Sequence, residues 1–249
     1  MPSGHHEKEK REGLRRILPE AWLDVLDIGT TSVRQFLEET AATIPADALV
    51  LDAGAGECQY RGLFQHTRYV PVDFAKGDTE WNYSGLSVIA RLTELPFGDA
   101  TFDAVICTQV LEHVPEPKQV LRELSRTLKP GGRVLFTAPG TGEEHQQPYD
   151  FYRYTSFGLQ YLFGQAGFEI VEMRRLGGMF WFLAIVTPRI NTFLFRKWMK
   201  IALFPLYLLS KLTLGLILPL LFHRWERLDA EKDLVLNYGV IARKKPSIS

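Results

Sequence analysis

Leu49-Val50-Leu51-Asp52-Ala53-Gly54-Ala55-Gly56 is a short apolar run that breaks into a glycine turn, and Asp73 follows 17 residues after Gly56. An apolar run without alternation suits a strand buried on both faces of a parallel sheet. The glycines let the backbone approach a ligand closely. Asp73 ends a second apolar run, Tyr69-Val70-Pro71-Val72, where a carboxylate can accept both hydroxyls of a ribose. The pattern predicts an α/β chain with an adenosine-binding turn.

The residues around the turn narrow the choice of cofactor. A dinucleotide fingerprint, G-x-G-x-x-G, would place its third glycine at position 59, where this chain has Gln59. NAD is disfavoured. Asp52 stands two places before Gly54, giving D-x-G-x-G. A carboxylate there would repel a pyrophosphate but suits the ammonium and sulfonium of S-adenosylmethionine (SAM), directly or through water. The alternative is a tight turn with no ligand.

Three further segments follow in fixed order: Leu95 to Cys107 with its Leu-Pro-Phe start, Val110-Leu111-Glu112-His113-Val114-Pro115, and Leu128-Lys129-Pro130-Gly131-Gly132 running into Arg133 to Phe136. Over roughly residues 49 to 175 this order resembles the class I SAM-dependent methyltransferases, in particular the type 11 group. The resemblance implies a Rossmann-like seven-stranded mixed sheet, with SAM across the carboxyl ends of the first two strands. Asp73 would then meet the ribose, Gly54 and Gly56 the methionine part, and Asp52 and Thr108 would complete the cofactor contacts. Many relatives carry an acidic residue four places before Leu-Pro-Phe, and this chain has Arg91 there. Adenine contact is therefore assigned to backbone near Leu92.

Composition sets bounds on the rest. The chain has 249 residues and a formal net charge of zero, from 29 basic and 29 acidic residues, so no global field draws it to nucleic acid. Cys58 and Cys107 are the two cysteines, and neither has a partner at metal-ligand spacing, so reduced thiols and no metal are expected. The charged first 30 residues lack the apolar core of a signal peptide. A cytoplasmic, SAM-containing location is expected.

Four stretches are expected along the chain: an N-terminal tail and helical cap (1–48), a SAM-binding core (49–175), an apolar basic helical insertion (176–230), and a final strand and tail (231–249). Residues 1–13 are almost all polar and read as a disordered tip. Ser32 and Gln35 suggest a capping box for a helix presenting Val33, Phe36, Leu37 and Ala41. Strands are expected at Tyr69–Asp73, Phe102–Thr108, Arg133–Ala138 and Phe168–Met173, with helices opening at Pro117 and after Thr155. The last strand is expected over Leu234–Arg243.

The chemistry concentrates in Glu143 to Thr155, just after the Phe136 to Pro139 strand end. His145 is the candidate general base, with His113 a second candidate. Asp150, Tyr152 and Arg153 are candidate substrate contacts. Structural readings stand beside these: an Asp150–Arg153 ion pair, Tyr152 and Tyr154 packed under the next helix, and Thr155 as a helix cap. The string from His145 to Thr155 also looks like one found in methyltransferases of cell-surface glycan or secondary-metabolite pathways.

From Arg174 to Arg227 there are nine Lys or Arg and one acid, Glu226, and 16 of the 22 residues from Ile201 to Phe222 are hydrophobic. As a transmembrane span this segment would carry Lys211 near its centre, at about 2.5 to 3.5 kcal/mol, and would be interrupted by Pro205 and Pro219. Peripheral contact with an anionic membrane at its inner face is favoured; a helical lid or a homodimer surface is the alternative. The expected reaction is O-methylation of a hydroxyl on a small-molecule or lipid-linked acceptor, such as a glycan precursor. Methylation of a prenylated quinone ring is the enzymatic alternative, and a non-catalytic SAM-binding scaffold is the alternative of another class.

Overall fold

The structure, a computed structural model, describes residues 27–77 and 81–246. The reading of residues 1–13 falls outside them. Its sheet begins with β1 (Leu49–Ala53) and β2 (Arg68–Asp73), the two apolar runs that end at the glycine turn and at Asp73. Five more strands follow: β3 (Val88–Ile89), β4 (Phe102–Thr108), β5 (Leu128–Pro139), β6 (Phe168–Leu176) and β7 (Asn237–Lys244). Their order is β3-β2-β1-β4-β5-β7-β6. The first five are parallel, and β7 runs antiparallel to both its neighbours. This is the α/β seven-stranded mixed sheet expected from the resemblance.

The period-2 alternation of strands divides the core into two layers. Leu51, Val105, Val134 and Phe136 face one side, where they meet Val120, Leu121 and Leu124 of α2 (Pro117–Thr127) and Leu159 and Phe163 of α3 (Ser156–Gln165). Val50, Ala104, Ile106 and Leu135 face the other, against Val33, Phe36, Leu37 and Ala41 of α1 (Ile28–Ala41). Each of the sheet residues just named is almost completely buried. Fully burying such a side chain contributes about 1.5 to 3 kcal/mol.

Several boundaries differ from the sequence reading. α1 starts a turn before Ser32, whose hydroxyl donates to the Gly29 carbonyl at 2.8 Å from inside the helix instead of capping it. The reason is Ile28, which is buried with Ala184 and Leu236 in a third small core and so draws the helix back toward the N-terminus. β5 starts at Leu128 because that residue pairs with Phe102 before the regular register resumes at Ala104–Arg133. β7 begins at Asn237, three residues later than expected. Thr155 does cap α3, accepting from the Gly158 N–H at 3.1 Å.

Between β6 and β7 lies a helical hairpin. Its outward limb holds α4 (Met179–Val186) and α5 (Ile190–Leu194), a short α6 (Met199–Ala202) stands near the tip, and α7 (Phe204–Leu212) and α8 (Leu218–Trp225) return. Phe180 of α4 stacks with Phe222 of α8, and Ser210 of α7 donates to Asn191 of α5 at 2.6 Å, so the limbs run antiparallel. At the base, Glu226 accepts from the N–H groups of Gly178 and Trp181, and Asp229 from that of Met179. These carboxylates cap the free N-terminus of α4.

The return limb is helical without interruption from Phe204 to Leu228, 25 residues or about 37 Å. Pro205 and Pro219 do not break it. Pro205 sits in the first turn of α7, and a π-helical turn, Thr213–Ile217, widens the helix just before Pro219. That turn relieves the clash and missing donor that a proline brings to a helix interior.

Candidate cofactor and acceptor site

The carboxyl ends of β1, β2, β4 and β5 lie along one edge of the sheet, where ligands of open α/β sheets bind. Asn237 pairs with both Pro139 and Leu176, so β7 starts and β6 ends at that same edge. The hairpin therefore leaves and re-enters the sheet beside the loops that carry the candidate chemistry.

At the end of β1 the backbone turns at Gly54 and Gly56, with φ of +85° and +51°. A Cβ at Gly54 would lie 2.3 Å from a Val110 methyl, and one at Gly56 would lie 3.1 Å from the Trp81 ring. Asp73 fastens the turn: one carboxylate oxygen accepts from the Gly56 N–H at 3.0 Å, the other from the Ala75 N–H at 2.8 Å. Thr108 ends β4 with a buried hydroxyl that has no hydrogen-bond partner among the described residues. A narrow glycine cradle, a carboxylate against it and an orphan hydroxyl at the adjacent strand end fit a ligand with a ribose and a polar tail.

The other expected cofactor residues sit deeper. Asp52 is buried and accepts a hydrogen bond from the Tyr69 hydroxyl. Burial pushes its carboxyl up to about 7, against the lowering effect of that bond. Leu92 is buried in the core with Leu95, so only its backbone is available to a ligand. Arg91, in the place of the expected acid, stacks its guanidinium over the Phe74 ring at 4.6 Å. Phe74 directly follows Asp73, and its position was not anticipated.

The loops after β4 and β5 bring the remaining candidates together. The Asp150 side chain is 3 % exposed and holds Arg153 through two bonds of 2.7 and 2.8 Å, while also accepting from the His145 backbone N–H at 2.8 Å. Burial works against its charge, but these bonds prevail and hold its carboxyl down at about 2. Arg153 reaches on to the Glu143 carbonyl at 2.5 Å. The ion pair thus shapes the loop bearing His145. Tyr152 and Tyr154 donate their hydroxyls to the carbonyls of Pro115 and Leu111, at 2.8 and 2.9 Å, tying this loop to the one after β4.

His113 and His145 meet edge to face, with ring centroids 4.7 Å apart. His113 Nδ1 lies 2.5 Å from the Tyr149 carbonyl and His145 Nδ1 lies 3.1 Å from the Glu143 carbonyl. A carbonyl can only accept, so the His113 Nδ1 carries the proton and its Nε2 presents a lone pair, while the His145 Nδ1 stands between the Glu143 carbonyl and the Arg153 guanidinium, 3.4 Å away. Burial lowers the pKa of both rings below the ordinary histidine value and keeps them neutral. Beside them Glu112 is completely buried and its carboxylate accepts no hydrogen bond among the described residues. Spacing gave no sign that these three side chains converge.

The hairpin reaches this region through Arg189, which forms an ion pair with Glu143 on the His145 loop. A groove of about 510 Å³ lies at the junction, lined by Glu143, Val186, Arg189, Ile190, Thr192 and Phe193. Along the hairpin, Phe193 is 84 % exposed and Ile201 82 %, with Trp198, Phe204, Leu206, Leu208, Leu209 and Leu212 also open.

Residues 51–136 match the family described as "Methyltransferase domain". Among curated relatives, a demethylmenaquinone methyltransferase of Clavibacter sepedonicus is 33% identical over 120 residues, covering 45% of this chain and 49% of its own. A ubiquinone biosynthesis O-methyltransferase of Proteus mirabilis is 31% identical over 113 residues, covering 45% and 40%. The chain thus spans less than half the length of these relatives. Among solved structures, the 1,6-didemethyltoxoflavin-N1-methyltransferase of Burkholderia thailandensis, with bound 1,6-didemethyltoxoflavin and S-adenosylhomocysteine, aligns with a TM-score of 0.54 at 18% identity, over 98% of this chain and 92% of its own. The [4+2]-cyclase SpnF aligns with a TM-score of 0.50 at 17% identity, over 88% and 83%. Residues 51–136 thus resemble a methyltransferase domain, and the chain as a whole shares the seven-stranded fold of these solved structures.

Proposed function

We propose that this chain is a SAM-dependent methyltransferase that modifies a hydroxyl of an apolar, membrane-borne acceptor, working from the inner face of the membrane. The observation that carries the acceptor class is the exposed apolar hairpin, which rises from the same sheet edge as the site and is tied to the His145 loop through Arg189 and Glu143. The names of the curated relatives favour a prenylated quinone-like ring over the glycan precursor.

SAM supplies an electrophilic methyl group on a sulfonium when bound. Asp73 and the Gly54–Gly56 turn would hold its ribose and methionine parts, with Thr108 beside them. The remaining work is to place the acceptor oxygen in line with the methyl group and to remove its proton. His145 can take that proton at a ring nitrogen, while Arg153 and Asp150 fix the ring through the loop. The hairpin would lie with its apolar sides in the lipid interface and Arg196, Lys197 and Lys200 near anionic headgroups.

Incubating the purified protein with methyl-labelled SAM and either a membrane lipid extract or a water-soluble metabolite extract tests this reading. Label entering the organic phase is expected. Label confined to water-soluble products would refute the membrane-borne acceptor, and no transfer with either extract would refute methyltransferase activity.

A further inference from the structure

We infer that Glu112, His113 and His145 form a binding site for one divalent transition-metal cation at the acceptor side of the cleft. The Glu112 carboxylate and one ring nitrogen from each histidine all lie within 4.8 Å of one another. Glu112 Oε1 and His113 Nε2 are 3.8 Å apart. Donors that share a metal with bonds of about 2.1 Å stand roughly 3 to 3.4 Å apart, so a small closure of side chains completes the set.

Three observations favour a cation over a packing cluster. Glu112 is wholly buried, yet both its oxygens lack a hydrogen-bond partner among the described residues. A buried carboxyl left this way costs free energy unless something else satisfies it. His113, in turn, directs its Nδ1–H to the Tyr149 carbonyl and its Nε2 toward Glu112. This is the outer-shell arrangement that fixes the tautomer of a metal-binding imidazole and aims the Nε2 lone pair. Finally, the nearby guanidinium of Arg153 is paired with Asp150, which offsets its repulsion of a cation.

Two imidazoles and one carboxylate suit zinc, manganese, iron(II) or cobalt(II), and leave coordination positions open. This deepens the methyl-transfer reading and, in its consequence for catalysis, rests on it. An acceptor hydroxyl bound at an open position would lose its proton to solvent more readily, which would transfer His145's role from base to ligand. Cation binding itself does not depend on methyl transfer.

The test is calorimetric titration of the chelator-treated full-length protein with Zn²⁺ and Mn²⁺, and absorption spectroscopy with Co²⁺. One cation per chain is expected, with a ligand-field band for Co²⁺. Glu112→Gln, His113→Ala and His145→Ala should each weaken binding at least about tenfold. His145 lies on a partly exposed loop, so His145→Ala keeps the test valid if the buried Glu112 variant fails to fold. SAM affinity, measured in parallel on the metal-free protein, should be unchanged in His145→Ala. Absence of saturable binding by all three cations, or equal affinity in the wild type and the folded variants, would overturn the site. Metal binding without methyl transfer would retain the site and remove only its catalytic consequence.

Discussion

His113 and His145, on loops that follow different strands, stand edge to face at 4.7 Å, each with its Nδ1 beside a backbone carbonyl. In the proposed reaction His145, as base or as ligand, acts on the acceptor and not on the cofactor. His145→Ala should lower turnover by about 10²-fold or more while leaving SAM affinity within twofold, by steady-state kinetics and calorimetry. Loss of activity in His113→Ala alone would reverse the two roles.

Asp73 links the end of β2 to the glycine turn through Gly56 and Ala75. Asp73→Ala removes those bonds together with any to a ribose, each charge-assisted bond being worth about 1.5 to 3 kcal/mol. SAM affinity should fall at least tenfold by calorimetry. An unchanged affinity in a folded variant would place the ribose elsewhere.

Asp52 is a buried carboxyl whose pKa is raised from 3.8 to about 7. A group with a raised folded pKa favours the folded state most when protonated, so its contribution is full below about pH 4 and is lost as pH rises to about 7. Asp52→Asn keeps the shape and removes the charge. Relative to wild type, its melting temperature should improve between pH 4.5 and pH 7.5; a difference that does not change with pH would show that Asp52 is not titrating in this window.

The hairpin exposes apolar side chains around much of its return limb, with only 6% of the apolar window buried. A second copy would cover one side, whereas lipid can surround more of it. The protein should co-sediment with vesicles containing anionic lipid, less with neutral ones and less at high salt, because the electrostatic attraction is screened beyond about 8 Å at physiological ionic strength. Charge reversal at Arg196, Lys197 and Lys200 should weaken this without altering SAM affinity. A protein that ignores all vesicles and dimerises through the hairpin would exclude the membrane reading.

Local chemistry made much of the fold readable. The β1 run and its D-x-G-x-G turn, the Thr155 cap, and the helical spacing of Val120, Leu121 and Leu124 each depend on residues close in sequence, and each is present. Where distant residues compete, the reading failed. Ser32 did not cap α1 because Ile28 found a core with Leu236 from the far end of the chain, and Pro219 did not end its helix because the π turn before it makes room.

What the sequence determined by itself was the alternating α/β framework, the glycine turn with Asp73 spaced to meet it, and an apolar basic segment before the last strand. Tertiary structure alone decided that Glu112, His113 and His145 share one site, since they come from loops after β4 and β5 that become neighbours only when those strands pair. It also decided where the hairpin stands. Because β7 pairs antiparallel with both β5 and β6, Leu176, Asn237 and Pro139 meet at one sheet edge, and strand register, which no local pattern encodes, sets the hairpin beside the chemistry.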